Sequence, residues 1–195
     1  MPTRNALRRL LLIICLNFLL LYPCGVLQGE TSGDTTWHSI ETKYTTIRYQ
    51  TPEDLKEFND NVDYSPGEWG LKRLFSRSRS GKEMIDKVKK KVDALYERVQ
   101  EILDMRKKMK KVTIAIYHKK RQLRAAYQEI YKKPCKLRAW YIYEYNTIYL
   151  NVYDLHEGML AHEMAHAVID NYLTVRPPHA TAEILARYVD RHLFE

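Results

Sequence analysis

The segment His162-Glu163-Met164-Ala165-His166 constrains the fold more than any other part of this 195-residue chain. Residues four positions apart lie on the same face of an α-helix, so the two histidines can reach one metal ion if this segment is helical. Glu163 lies one residue further round the helix, where its carboxylate can take a proton from a metal-bound water molecule. The pattern therefore predicts a helix that carries a zinc site and the general base of a hydrolase.

The sequence on either side supports this helix. Asp154-Leu-His-Glu157 has the spacing of a capping box, which predicts that the helix starts there and continues to about Leu173. Pro177-Pro178 cannot continue a helix, because proline lacks the backbone N–H and clashes with the preceding turn. A second helix is then expected from about His179 to Leu193.

A catalytic zinc site needs three protein ligands and one open position, so a third ligand must come from elsewhere. Glu183 is the best candidate, because the turn between the two helices would bring it back alongside the histidines. His179, nearer the turn, and Asp190, two turns beyond Glu183, are the alternatives. A third histidine in the metzincin spacing is excluded, since Ile169 stands in place of the required glycine and Tyr172 in place of the histidine.

The pair of helices resembles the active site of gluzincin zinc metallopeptidases. Residues 162–170 are similar to the first active-site helix of thermolysin-like enzymes. Glu183-Ile-Leu-Ala186 matches the glutamate-x-x-alanine pattern around their third ligand. The specific similarity covers residues 155–190, whereas residues 40–154 resemble small peptidase-MA-like domains only in outline.

The resemblance implies particular roles for four residues. The implied zinc ligands are His162, His166 and Glu183. Glu163 is the implied general base of peptide-bond hydrolysis, which takes the proton of the zinc-activated water and passes it to the leaving amine. By this resemblance the chain is expected to be a zinc-dependent peptidase that acts on a peptide or protein substrate.

Three features depart from that family. Twelve residues follow Glu183, so we expect no C-terminal subdomain to form the far wall of the cleft. Arg187 stands where thermolysin-like sites carry a carboxylate, and it could instead pair with Glu183 and compete with metal binding. The group that stabilises the oxyanion is unassigned, with Tyr141, Tyr143, Arg187, Tyr188 and His192 available.

Asp170 could hydrogen-bond His166, or it could be a solvated surface acid.

The order of the other predicted elements indicates an α+β domain. Strands are predicted at residues 44–49, 111–117, 137–143 and 147–153, the last two forming a hairpin through residues 144–146. Helices are predicted at residues 54–61, after the capping box Ser80-Gly-Lys-Glu83, and at residues 122–131. The long second helix has one apolar stripe: Ile85, Val88, Val92, Leu95, Val99 and Ile102. We expect a zincin-like fold, in which a small, mostly antiparallel sheet packs against this helix and precedes the two active-site helices.

Residues 1–29 have the features of a secretory signal peptide. Three arginines precede the apolar run Leu10–Tyr22, which is too short for a confident membrane span of ~20 residues. Cleavage after Gly29 would leave residues 30–195 as one domain, lower the net charge from +8 to +5 by removing three arginines, and leave Cys135 as the only cysteine. We therefore expect export to the periplasm, the cell envelope or the medium. An uncleaved segment would instead keep the protein near a membrane, and Pro23 argues against lipidation of Cys24.

Basic runs occur at residues 106–111 and 118–121 of the domain. In an exported chain we expect no nucleic-acid partner for them. They are better read as solvated helix ends, as contacts with an anionic envelope surface, or as charges that steer acidic substrates.

Four hairpin tyrosines, Tyr141, Tyr143, Tyr149 and Tyr153, either cover the sheet, which is the favoured interpretation, or flank a strand that binds an extended peptide. An alternative to the peptidase is a non-catalytic, zinc-binding envelope protein that keeps the zincin fold. The oligomeric state is not predicted.

Overall fold

The computed structural model describes residues 36–64 and 81–195, which belong to one unit, Thr36–Glu195. The predicted signal peptide and Ser80 of the predicted capping box lie outside the described residues. Within the described ranges, no helix combines the length and the apolar character that crossing a membrane requires.

Five strands and five α-helices follow one another along the described chain. They are β1 (His38–Glu41), β2 (Thr45–Tyr49), α1 (Pro52–Asn61), α2 (Gly81–Ile102), β3 (Val112–Tyr117), α3 (Lys120–Tyr131), β4 (Ala139–Ile142), β5 (Thr147–Asn151), a 3₁₀ turn (Val152–Asp154), α4 (Glu157–Tyr172) and α5 (His179–His192). The expected α+β class is therefore confirmed. Strand β1 was not predicted, because only four residues form it and three of them are exposed.

The five strands form one mixed sheet in the order β1-β2-β3-β5-β4. The outer pairs, β1–β2 and β4–β5, are antiparallel, whereas β2–β3 and β3–β5 are parallel. The prediction of a mostly antiparallel sheet was wrong for these inner pairs. Helices α1 and α2 separate β2 from β3, and α3 with β4 separates β3 from β5, so each connection is long enough to return the chain in the same direction.

Helix α2 forms the base of the hydrophobic core. Its predicted stripe is confirmed, since Val88, Val92, Leu95 and Val99 are fully buried while the two end positions, Ile85 and Ile102, are partly buried against the same cluster. Each fully buried aliphatic side chain of this kind contributes roughly 1.5–3 kcal/mol. Strand residues Ile47, Ile114, Ile148 and Leu150 complete the cluster from the sheet.

Helix α4 packs against α2, α5, β4 and β5, so it is largely enclosed by the fold. Leu160, Met164 and Val168 are fully buried, which fixes the rotation of the helix about its axis. Its predicted start was wrong. Asp154 lies in the preceding 3₁₀ turn and pairs with Lys120, whereas His156 caps the helix by accepting a hydrogen bond at Nδ1 from the backbone N–H of Met159 (3.2 Å).

An asparagine in the hairpin loop connects the β4–β5 hairpin to α4. Asn146 adopts a left-handed backbone conformation (φ 45°), and its Nδ2 donates to the carbonyl of Lys111 (3.0 Å). Its Oδ1 accepts from Asn171 Nδ2 (2.9 Å) and from the hydroxyl of Tyr141 (3.0 Å). Because Asn171 belongs to α4, these bonds hold the hairpin, and with it the edge strand β4, beside the helix that carries the two histidines.

Candidate metal centre

Helix α4 places the two motif histidines on one face, as their spacing predicts. The Nε2 atoms of His162 and His166 lie 3.3 Å apart. Both side chains are partly buried, and burial lowers both pKa values, that of His166 to about 4. Glu183 and Asp190 oppose this shift at His162, and the charge of His162 adds to it at His166. Both imidazoles are thus neutral at pH 7, the form that binds metal ions.

Helix α5 returns along α4 and brings Glu183 to both histidines. Its Oε1 lies 3.2 Å from Nε2 of His166, and its Oε2 lies 3.8 Å from Nε2 of His162. The donor atoms of the three residues all lie within 4.8 Å of one another. The structure therefore assembles the set that the sequence predicted, from two helices separated by a proline turn.

The two alternative third ligands lie outside this set. The side chain of His179 is 85% exposed, and its Nε2 lies 3.7 Å from Glu183 Oε1 at the outer edge of the group. Asp190 lies two turns further along α5, where its carboxylate contacts Gly158 at the start of α4. A Cβ atom at position 158 would meet that carboxylate, so a larger residue there would require the Asp190 side chain to move.

Two of the separations between donor atoms are close to those of a tetrahedral zinc site. With ligand bonds of ~2.0–2.1 Å, the edges of such a site are about 3.3–3.4 Å long. The distance between the two histidine Nε2 atoms, 3.3 Å, and that from His166 Nε2 to Glu183 Oε1, 3.2 Å, match this edge, whereas His162 Nε2 lies 3.8 Å from the other carboxylate oxygen, Oε2. Two imidazoles and one carboxylate are also a donor set that zinc prefers.

Glu163 lies on the same helix and lines the same cleft. It is 8% exposed, and burial together with the negative charge of Glu183 raises its pKa to about 8. The backbone N–H of Tyr141 in strand β4 donates a hydrogen bond to its carboxylate, which opposes that rise. A divalent cation held by His162, His166 and Glu183 would lower the pKa of Glu163 from this raised value, because an opposite charge favours the ionised form.

These groups open into a cleft of about 620 Å³ between α4, α5 and the edge strand β4. The other lining residues come from the β4 region, from α4, from the turn that precedes α5 and from the first turn of α5. They are Leu137, Ala139, Trp140, Tyr141, Asp170, Arg176, Pro177, His179 and Ala182. Since β4 pairs only with β5 among the described strands, its other edge faces this cleft.

Asp170 takes neither of the two roles that the sequence suggested. Its side chain is only 5% exposed, so it is not a solvated surface acid, and its Oδ1 is paired with Nε of Arg176 (3.3 Å) rather than with a histidine. Burial raises its pKa, and Arg176 opposes that rise. The guanidinium of Arg176 also lies over the ring of Tyr143, 5.0 Å from its centre.

Arg176 was not recognised from the sequence. Its position directly before Pro177-Pro178, in the turn between the two predicted active-site helices, was the available signal.

The five oxyanion candidates are mostly engaged elsewhere. Tyr141 lines the cleft, but its hydroxyl donates to Asn146. Tyr188 stacks on His192, 4.0 Å between ring centres. Arg187 is 75% exposed, with its Nε 3.9 Å from Glu183, so it competes only weakly for the ligand carboxylate.

The predicted basic run at residues 106–111 lies away from the metal group, in a second concavity of about 870 Å³. Several of the basic side chains that line this concavity already contact other groups. Lys43 pairs with Glu97, Arg106 with Glu101, and Lys107 donates to the last carbonyl of α4 at Tyr172. Lysine Nζ at that helix end stabilises the negative end of the helix dipole.

Comparison with known proteins adds no relative. No protein-family model, no curated protein and no solved structure matches this chain.

Proposed function

We propose that this protein is a zinc-dependent peptidase of the gluzincin type, with a zincin-like domain. The observation that carries the proposal is the group formed by His162, His166 and Glu183, whose donor atoms lie within 4.8 Å of one another beside a buried glutamate. The N-terminal segment extends the proposal to export, since residues 1–29 have the composition of a signal peptide.

In this proposal His162, His166 and Glu183 hold the metal. A bound zinc ion would supply Lewis-acid polarisation of the scissile carbonyl and acidify a water molecule. Glu163 would be the general base that takes a proton from the attacking water and delivers it to the leaving amine. The Tyr141 N–H holds the Glu163 carboxylate in place, and the enclosed position of Glu163 keeps bulk water from competing for the proton.

The walls of the cleft support a peptide as the substrate. Among the described strands β4 pairs only with β5, and the backbone groups on its other edge, beside the metal group, can hydrogen-bond an extended peptide. One N–H on that edge, from Tyr141, already binds Glu163, so a peptide would pair with the remaining groups.

The decisive experiment compares wild-type protein with Glu163→Gln for zinc content and for cleavage of a broad peptide library. We expect one zinc per chain in both proteins and hydrolysis only by the wild type. Glu129→Gln is the matched control, because it removes an exposed carboxylate from α3 and leaves the cleft unchanged. Protein without stoichiometric zinc, or a Glu163→Gln protein that cleaves peptides as well as wild type, would refute the proposal.

The alternative is a non-catalytic zinc-binding envelope protein with the same fold. It is favoured by the oxyanion candidates, since Tyr141 alone among them lines the cleft and its hydroxyl is bound to Asn146. Stoichiometric zinc, a lower melting temperature on chelation and no cleavage of any library peptide would together select this alternative.

A further inference from the structure

One arginine, Arg176, is found among the described residues that line the metal cleft, and its side chain is 55% exposed. It belongs to the turn between α4 and α5, so its position is set by the two helices that carry the metal ligands. None of the roles assigned above to the metal group or to Glu163 uses it.

Two neighbours hold the guanidinium from behind. Asp170, with its side chain only 5% exposed, contacts Nε at 3.3 Å, and the guanidinium carbon lies over the ring of Tyr143, 5.0 Å from the ring centre. A guanidinium has five N–H donors, and the contact with Asp170 is made through Nε, at one side of the group. The terminal nitrogens are therefore available in a fixed orientation, which lowers the entropy that a ligand must offset on binding.

Two carboxylates lie near Arg176, so a further anion would be recognised through the N–H donors of the guanidinium and not through an excess of positive charge. Asp170 faces it directly, and Glu144 in the hairpin loop is a further carboxylate close enough to act on Asp170. The other carboxylates of the cleft, Glu163 and Glu183, belong to the metal group and would be compensated by a divalent cation there. An arginine that is anchored on its buried side and exposed on the other can bind a second carboxylate through its free fork.

We infer that Arg176 is a substrate-recognition residue, and that this cleft takes peptides that present a carboxylate close to the scissile bond. The carboxylate is either an Asp or Glu side chain or the free C-terminus of the peptide. This inference rests on the proposed peptidase function and specifies its substrate class. Tyr143 and Asp170 are positioning residues for Arg176.

The test uses paired peptides and the zinc-loaded, full-length protein. One set differs only by Glu against Gln at single positions around the cleaved bond, and the other only by a C-terminal acid against an amide. In wild type we expect one set to show a preference of roughly tenfold in kcat/KM for the charged member, as a charge-assisted hydrogen bond at a half-exposed site gives. Arg176→Gln should abolish the preference, and Arg176→Lys should keep only part of it, because lysine retains the charge without the fork.

Binding to zinc-loaded Glu163→Gln protein provides a readout that does not depend on turnover. The same paired peptides are titrated by calorimetry, with and without Arg176→Gln in that background. Arg124→Gln is the matched control, since it removes an exposed arginine from α3, outside the cleft. Melting temperatures of all variants show whether each is folded. If Arg176→Gln does not fold, Arg176→Lys replaces it in both the kinetic and the binding comparisons.

The outcomes separate the two claims. A preference confined to the first set identifies a side-chain carboxylate, and one confined to the second identifies the peptide C-terminus. Equal kcat/KM for both members of every pair, or a preference that survives in Arg176→Gln, would overturn the inference while peptide hydrolysis still supports the proposed function. Absence of hydrolysis by wild type would count against the proposed function, and equal binding of all pairs would then also reject the inference.

Discussion

Replacement of Glu163 by glutamine is expected to stabilise the metal-free protein above neutral pH. Burial and the charge of Glu183 raise the pKa of this carboxyl from its ordinary value of 4.5 to about 8. The folded protein therefore retains the proton over a pH range in which the unfolded chain has released it. The contribution of Glu163 to stability is fully present below about pH 4.5 and is lost as the pH rises to about 8.

The magnitude follows from the width of that range. Each pKa unit corresponds to about 1.4 kcal/mol, so ionisation of Glu163 lowers the free energy of unfolding by about 3–5 kcal/mol at pH 8 and above. A neutral glutamine avoids this cost and still accepts the hydrogen bond from the Tyr141 N–H. For a domain of this size the gain corresponds to a rise in melting temperature of roughly 10 °C at pH 8. At pH 5 the two proteins should differ by less than about 1 kcal/mol.

Urea unfolding of wild type and Glu163→Gln in excess chelator, at several values between pH 5 and pH 8.5, measures the effect. Glu129→Gln, which removes an exposed carboxylate, should follow wild type throughout. A Glu163→Gln protein that is no more stable than wild type at pH 8, or that has the same advantage at pH 5, would refute a raised pKa for Glu163. Added zinc should reduce the difference, because the cation favours the ionised carboxylate.

Three further predictions concern the metal, a buried polar group and the core. Zinc at ~100 times its dissociation constant should stabilise the folded protein by about 2.7 kcal/mol in thermal unfolding. Glu183→Ala should lose most of this response, and an unchanged response would remove Glu183 from the ligand set. Asp54→Ala should lower stability by about 3 kcal/mol in urea unfolding, because this fully buried carboxylate accepts hydrogen bonds from two backbone N–H groups and contacts His118 Nδ1 at 2.8 Å. A cost below ~1 kcal/mol would contradict that account. Leu95→Ala should cost about 2–5 kcal/mol without changing zinc content, and a smaller loss would show that the core around α2 repacks.

Local patterns in the sequence predicted most of the elements. The three- and four-residue steps from Ile85 to Ile102 identified α2, because only a helix places those positions on one face. The four-residue spacing of His162 and His166 likewise identified the face of α4 that lines the cleft. The proline pair identified the break before α5, since proline cannot occupy a helix interior.

The errors concern pairings between distant segments. Sequence alternation identifies a strand without identifying its neighbour, so the parallel pairing of β3 with β2 and β5 was missed. The start of α4 was misplaced for a related reason. Asp154 has the right spacing for a cap, but its carboxylate is engaged by Lys120 of another helix, and His156 supplies the cap instead.

By itself the sequence determined the helix that carries the two histidines, the turn after it and Glu183 as the preferred candidate for a third ligand, because these depend on spacing along one chain. Only the tertiary structure shows that Glu183, and neither His179 nor Asp190, groups with the two histidines of α4, because this depends on which α5 residue lies opposite them. It also decided the surroundings of Glu163 and Arg176. Burial beside β4 and anchoring by Asp170 are contacts between residues far apart in sequence, and no local pattern encodes them.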